Sequence, residues 1–235
     1  ASRQLDRVSQ FHNDHRYRDA LAQLEVLEDG LPNYDAHQQA RWYFLRGMCF
    51  WHLAEDVKAA SDLEMAASLY QDDERIAAGL VRASMLKDDV QTAIQVGQEA
   101  IARFPDSYSV WVALTNARLL NREQLTTEEI PEAFRDKSGA WQLLASSMAG
   151  AGDDEGAVDA IRTAMAQSDS SIFILENYLR FVLRLVTANP FHVNTRSQPE
   201  DRRALILDAM SRFDDREGVL WAEQSPKTKS GIVFH

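Results

Sequence analysis

The chain has 235 residues, enough for one large domain or two small ones with a substantial core. Apolar residues make up 45% and charged residues 26%, with only 10 glycines and 6 prolines, a balance that fits a soluble folded chain of helices joined by short loops. The 36 acidic against 25 basic side chains give a formal charge of −11, which repels a phosphate backbone and sets nucleic acid aside as a partner.

A single cysteine, Cys49, excludes an internal disulfide framework and a cysteine-based zinc cluster. It leaves the compartment open between a reduced cytoplasmic chain, which is preferred, and a disulfide-free periplasmic one. No stretch reaches the roughly 20 uncharged apolar residues that span a bilayer, so no membrane insertion is expected. The start at Ala1-Ser2-Arg3 has neither an initiator methionine nor an apolar signal segment, which suggests a removed leader or an excised piece.

In chain order, residues of about 3 to 13 form a first helix and Tyr17-Arg-Asp-Ala20-Leu-Ala-Gln-Leu24-Glu-Val-Leu27 a second, followed by the linker Gly30-Leu-Pro32-Asn. The segment from Trp42 to Ala66 carries Gly47, Phe50, Ala59, Leu63 and Ala66 at fixed intervals. After 34 residues Ala93, Gly97, Ala100 and Pro105 stand where Ala59, Leu63, Ala66 and Gln71 stood. The same step of 34 carries Ala77 to Trp111, whereas Trp111 to Trp141 spans only 30 and Ala20 to Ala59 spans 39. The final register shows Trp141, Leu144, Met148, Ala157, Ile161 and Ala164. Between Trp111 and Trp141, Thr126-Thr-Glu-Glu-Ile-Pro-Glu-Ala-Phe134 predicts a capped but short second helix, so that unit is distorted.

Downstream, Ile172, Leu175, Leu179, Val182 and Val186 recur at helical steps, with Phe173, Phe181 and Leu185 as a second apolar flank. Only Glu176, Arg180 and Arg184 keep a polar stripe, which predicts a helix packed on both sides. Residues 187–198 form one long loop, Pro199 opens a helix to about Phe213, and a short helix near Arg216 to Glu223 caps the stack. Residues 225–235 are an exposed tail, or, through the strand-like Gly231-Ile-Val-Phe-His235, the start of a further domain.

This pattern resembles the tetratricopeptide repeat (TPR), a helix-turn-helix unit with an aromatic, a Leu-Gly pair and a second aromatic on its first helix, then Ala, a large apolar residue, Ala and Pro on its second. The resemblance implies an all-α, right-handed α-solenoid of about five to six hairpins over residues 1–224. Small residues let paired helices approach, Gly47 facing Ala59 and Ala66, while Trp111, Trp141, Leu63 and Ile161 fill the space between hairpins. Arg46 stands where the family has leucine and Asp62 precedes Leu63, a variant that predicts an Arg46–Asp62 ion pair between the two helices. The Ala93 unit has Val81 for the glycine and Ser84 for the second aromatic, so only its second helix matches well.

No glycine-rich phosphate loop, His-Glu-x-x-His or nucleophile elbow is present, so no catalytic, cofactor or metal residues are assigned and no enzyme is expected. His12-Asn-Asp14-His15 could bridge a metal, but polar side chains exposed to water at the end of a helix are the better reading. Asp72-Asp-Glu74, Asp88-Asp89 and Asp153-Asp-Glu155 read as helix caps. Cys49 and His52 stand three apart, yet a buried core cysteine is the commoner case.

What the resemblance implies about function lies on the first helices, which line the concave side of such a stack. The expected partner-binding residues are Phe44, Met48, Trp51, Arg75, Arg82, Met85, Asn116 and Gln142, with Arg75 and Arg82 gripping a carboxylate. The core alternative covers Phe44, Met48 and Trp51 with the first hairpin. The expectation is a protein–protein interaction scaffold or adaptor holding a peptide or protein segment. The alternative is the repeat region of a larger enzyme, such as a glycosyltransferase, whose catalytic domain follows; self-association through the exposed end of the stack is compatible with either.

Overall fold

The structure is a computed structural model and describes residues 2–167, 172–187, 204 and 207–212. The contacts divide the chain between residues 123 and 124 into two compact units.

In the first unit the helices run α1 (Ser2–Asn13), α2 (Tyr17–Leu27), a 3-10 stretch at Glu28–Asn33, α3 (Ala36–His52), α4 (Asp56–Leu69), α5 (Glu74–Leu86), α6 (Val90–Arg103) and α7 (Tyr108–Leu120). Neighbours in sequence pack on one another, and the first helices α1, α3, α5 and α7 also touch in series. The second unit has 3-10 turns at Thr127–Glu129 and Glu132–Phe134, then α8 (Ser138–Ala151), α9 (Asp154–Ala166) and α10 (Ile172–Thr187). Residues 207–212 are also helical.

The hairpins share one turn. His15, Ala54, Asp88, Arg122 and Gly152 all have left-handed backbone, with φ of 58°, 57°, 58°, 62° and 85°. The residue after each donates its N–H back to a carbonyl five residues earlier, from Arg16 to Phe11 through to Asp153 to Met148. This closes the last helical turn and reverses the chain. The intervals between these residues are 39, 34, 34 and 30, the same spacings the apolar pattern carries.

The helix starts are fixed by side-chain caps, as the acidic clusters predict. Asp73 accepts from the N–H groups of Arg75 and Ile76, Asp89 from Thr92 and Asp153 from Gly156. Asp35 and Ser107 cap α3 and α7 in the same way.

Packing follows the small residues. A Cβ at Gly47 would lie 3.0 Å from Leu63 Cγ and 3.2 Å from the Ala59 carbonyl, so α3 and α4 meet at near backbone contact. Ala66 joins Ala40, Ala67 and Ile76 in a cluster between α3, α4 and α5. The predicted ion pair forms: the Arg46 guanidinium donates to Asp62 Oδ2 and Oδ1 at 2.6 and 2.8 Å. It lies over the Trp42 ring at 4.2 Å, and Asp62 raises its pKa. Trp42 is itself buried and donates Nε1–H to the Leu24 carbonyl at 3.1 Å, tying α3 to α2.

In the second unit the short helix expected at residues 126–134 is instead the two 3-10 turns. Thr126 and Glu129 form the capping box, but Pro131 removes a backbone donor where the next turn of an α-helix would need one. Leu125, Ile130 and Phe134 from this segment are buried, so it packs without being helical. Trp141 is half-buried rather than a filled core position, because its Nε1–H reaches the Arg135 carbonyl at 2.8 Å. Along α10, Leu175, Tyr178, Phe181, Val182 and Leu185 are buried while Glu176, Arg180 and Arg184 are exposed, as the stripe predicts. The expected 187–198 loop, the start of the Pro199 helix, the 216–223 capping helix and the 225–235 tail lie outside the described residues.

Candidate functional site

The eight residues expected to bind a partner are not equivalent. Met48 is buried, packed with Ala60, Leu63 and Ala83. Its place is the α3–α4–α5 core, where the crossing at Gly47 closes over it. Phe44 is half-buried against three core clusters, and its ring would lie 3.3 Å from a Cβ at Gly79. Arg75 is exposed, but its guanidinium is held by Asp73, the carboxylate that caps its own helix, at 3.1 Å. That pairing raises the Arg75 pKa and leaves Arg75 less available for an outside carboxylate.

Trp51, Arg82, Met85 and Asn116 keep accessible surface on the first helices α3, α5 and α7. Trp51 is 37% exposed, a large value for an indole in a repeat interior. The Arg82 guanidinium lies over its ring at 5.4 Å, a cation–π contact worth about 0.5–2 kcal/mol depending on solvent access. As a residue Arg82 is half-buried, and enough protein surrounds its guanidinium to pull its pKa below the usual arginine range. It has no hydrogen bond or ion pair among the described residues, although Arg41, Arg46, Arg75 and Arg118 all hold carboxylates. Asn116 donates from Nδ2 to the Val112 carbonyl one turn back at 2.9 Å, which leaves its amide oxygen facing away from that bond. Gln142 is half-buried on α8, in the second unit.

Beside Trp51 stands a group of side chains that the sequence pattern does not bring together. The His52 ring stacks on Tyr17 at 4.2 Å, lies 4.7 Å from Trp51 and 5.3 Å from His12. His15 accepts or donates a 2.7 Å hydrogen bond through Nδ1 with the Tyr17 hydroxyl. Burial and the positive charge of His12, His15 and Arg82 push His52 down to about 4. Burial also lowers His12, whose Nε2 is enclosed without a hydrogen-bond partner.

Cys49 is not an activated thiol. It is fully buried, and burial pushes its pKa up to about 12, far from a thiolate at neutral pH. Among the described residues no group of three His, Cys, Asp or Glu side chains is placed to hold a metal, and no helix is long and apolar enough to cross a membrane.

No protein-family model matches the chain, and no curated protein matches it. Among solved structures it is similar to a thermophilic TPR protein of Thermus thermophilus, with a TM-score of 0.64 and 14% identity over 77% of this chain and 98% of that one. It is also similar to MamA from Desulfovibrio magneticus RS-1, with a TM-score of 0.51 and 14% identity over 75% of this chain and 96% of that one. At such identity the likeness is one of fold: the chain is an all-α helical repeat of the tetratricopeptide type.

Proposed function

We propose that the chain is a non-catalytic scaffold that holds a segment of another protein on the first-helix face of its first unit. The observation that carries this reading is the Trp51–Arg82 pair: an exposed indole beside a guanidinium that has no carboxylate of its own among the described residues. An unpaired, partly desolvated guanidinium is costly, whereas a partner carboxylate or carbonyl would satisfy its donors. Met85 and the Asn116 amide extend the same face along α5 and α7, offering an apolar contact and a backbone-reading amide. Aromatic and arginine anchors on rigid helices are the composition that binding surfaces favour. In the second unit Gln142 is a candidate contact of the same kind.

A peptide array probed with the wild-type chain, Arg82→Glu and Asn116→Ala tests the assignment. The expected result is that most captured peptides are lost with Arg82→Glu and weakened with Asn116→Ala. Capture unchanged by both substitutions overturns the assignment.

A further inference from the structure

The cluster beside Trp51 joins four helices of the first unit at one place: His12 closes α1, Tyr17 opens α2, Trp51 and His52 close α3, and Arg82 belongs to α5. The groups acting on His52 are His12 and His15 from the end of α1 and the turn after it, and Arg82 from α5. Tyr17 and Trp51 cover its ring, and Cys49 is buried nearby on its own helix. No carboxylate stands among these groups. Asp19, next in sequence to the cluster, is held by Arg16 at 2.7 Å, and Asp14 is exposed in the turn. In a chain of net charge −11, a corner made only of imidazoles, a guanidinium and aromatic faces is a local reversal of sign.

Its one permanent cation is unmatched. Arg82 has no ion pair among the described residues, and His12 Nε2 has no hydrogen-bond partner although it is enclosed. Arg82 is half-buried and not sealed, so its guanidinium is open to a carboxylate brought by a partner.

We propose that this corner, formed by His12, His52 and Arg82 against Tyr17 and Trp51, binds the carboxylate of an acidic segment of a partner protein and takes up a proton as it does so. The inference rests on the scaffold reading above and gives it a partner chemistry. A carboxylate fits better than a phosphoryl group, because one permanent cation and imidazoles that are mostly neutral at pH 7 match a single negative charge, not two. Tyr17 and Trp51 provide flat apolar surface for the side chains flanking the acid. Seating an anion beside His52 favours its charged form, so the imidazole gains a proton on binding. By linkage, the segment then binds more tightly as pH falls through the range in which only the complex is protonated.

The probe is a capped hexaglutamate peptide, with capped hexaglutamine and inorganic phosphate as comparisons. If the anion lifts His52 from about 4 to near 6, affinity at pH 5.5 exceeds that at pH 7.5 by about fourfold. Calorimetry in two buffers of different ionisation enthalpy should show proton uptake, and the ring signals of His12 and His52 should shift on titration. His12→Gln/His52→Gln should flatten the pH dependence, and Arg82→Gln should weaken binding at both pH values. The histidine signals are read on the wild-type chain, so the test survives a variant that folds poorly. Equal binding of hexaglutamine, tighter binding of phosphate, or hexaglutamate binding without proton uptake overturns the proposal. If array peptides bind in an Arg82-dependent manner while the His12 and His52 signals stay still, the proton-linked site fails and the scaffold reading stands. If neither peptide class binds, both fail.

Discussion

Replacing Gly47 with alanine adds one methyl group where α3 crosses α4. Intrinsic helix propensity favours the change by about 1 kcal/mol, since glycine costs that much in a helix interior. Packing opposes it: the new Cβ would lie 3.0 Å from Leu63 Cγ, 3.1 Å from Asp62 Cβ and 3.2 Å from the Ala59 carbonyl oxygen. The carbonyl belongs to the backbone of a helix and cannot swing aside, so α3 and α4 must separate, and overpacking of this kind costs about 1–3 kcal/mol. Separation would also stretch the Arg46–Asp62 hydrogen bonds beside it. The expected net effect is a loss of about 1–2 kcal/mol. Gly150 is the control, because it is exposed in α8 with no heavy atom within 4 Å of an added Cβ, and its alanine variant should gain about 0.5–1 kcal/mol. Gly97→Ala should also lose stability, because the added Cβ would lie 2.8 Å from Leu114 Cδ1 and 3.1 Å from Leu114 Cβ, and only the first of these can rotate away. Urea unfolding followed by far-UV circular dichroism measures all three. A Gly47→Ala protein as stable as Gly150→Ala would refute the close-crossing argument.

Asp62→Asn removes the carboxylate from a half-buried guanidinium and should cost about 2 kcal/mol, between the values for exposed and buried pairs. A double-mutant cycle with Arg46→Met checks it by its coupling energy. Ala54→Gly relieves a left-handed alanine at φ 57° and should stabilise by about 0.5–1 kcal/mol, measured by the same unfolding assay. His52 has a folded pKa of about 4 against an unfolded value near 6.5, so the unfolded chain binds more protons in that interval. Its contribution therefore makes stability fall as pH drops below about 6.5, levelling off below about 4, and His52→Phe should flatten this part of the stability–pH curve.

The repeat was legible because its signal is local and periodic. Gly47, Ala59, Ala93, Gly97 and Ala100 are small where backbones must meet, and the caps at Asp73, Asp89 and Asp153 are written next to the helices they start. The Arg46–Asp62 pair was also readable, since both residues sit at fixed places in one hairpin. The left-handed turn residues were less so: His15, Ala54, Asp88 and Arg122 are not glycines, and the turn is imposed by the hairpin around them. At Thr126–Phe134 the capping signal was right and the helix was not, because a cap starts a turn but Pro131 stops it from continuing. On the candidate face, spacing placed Met48 and Trp51 three apart but could not say that one is sealed by the α4 and α5 core and the other open. Nor could it bring His52 to His12 and Tyr17, since those contacts join different hairpins and depend on the longer 39-residue first interval.

The proposed binding face runs along the first helices of the first unit. A photo-crosslinking amino acid placed at Met85, on α5, and in a second variant at Val57, exposed on the second helix α4, tests it most directly with a peptide that the array returns. The Met85 position should crosslink to the peptide and the Val57 position should not. Crosslinking at Val57 with none at Met85 would put the segment on the other face of the repeat and overturn the proposal.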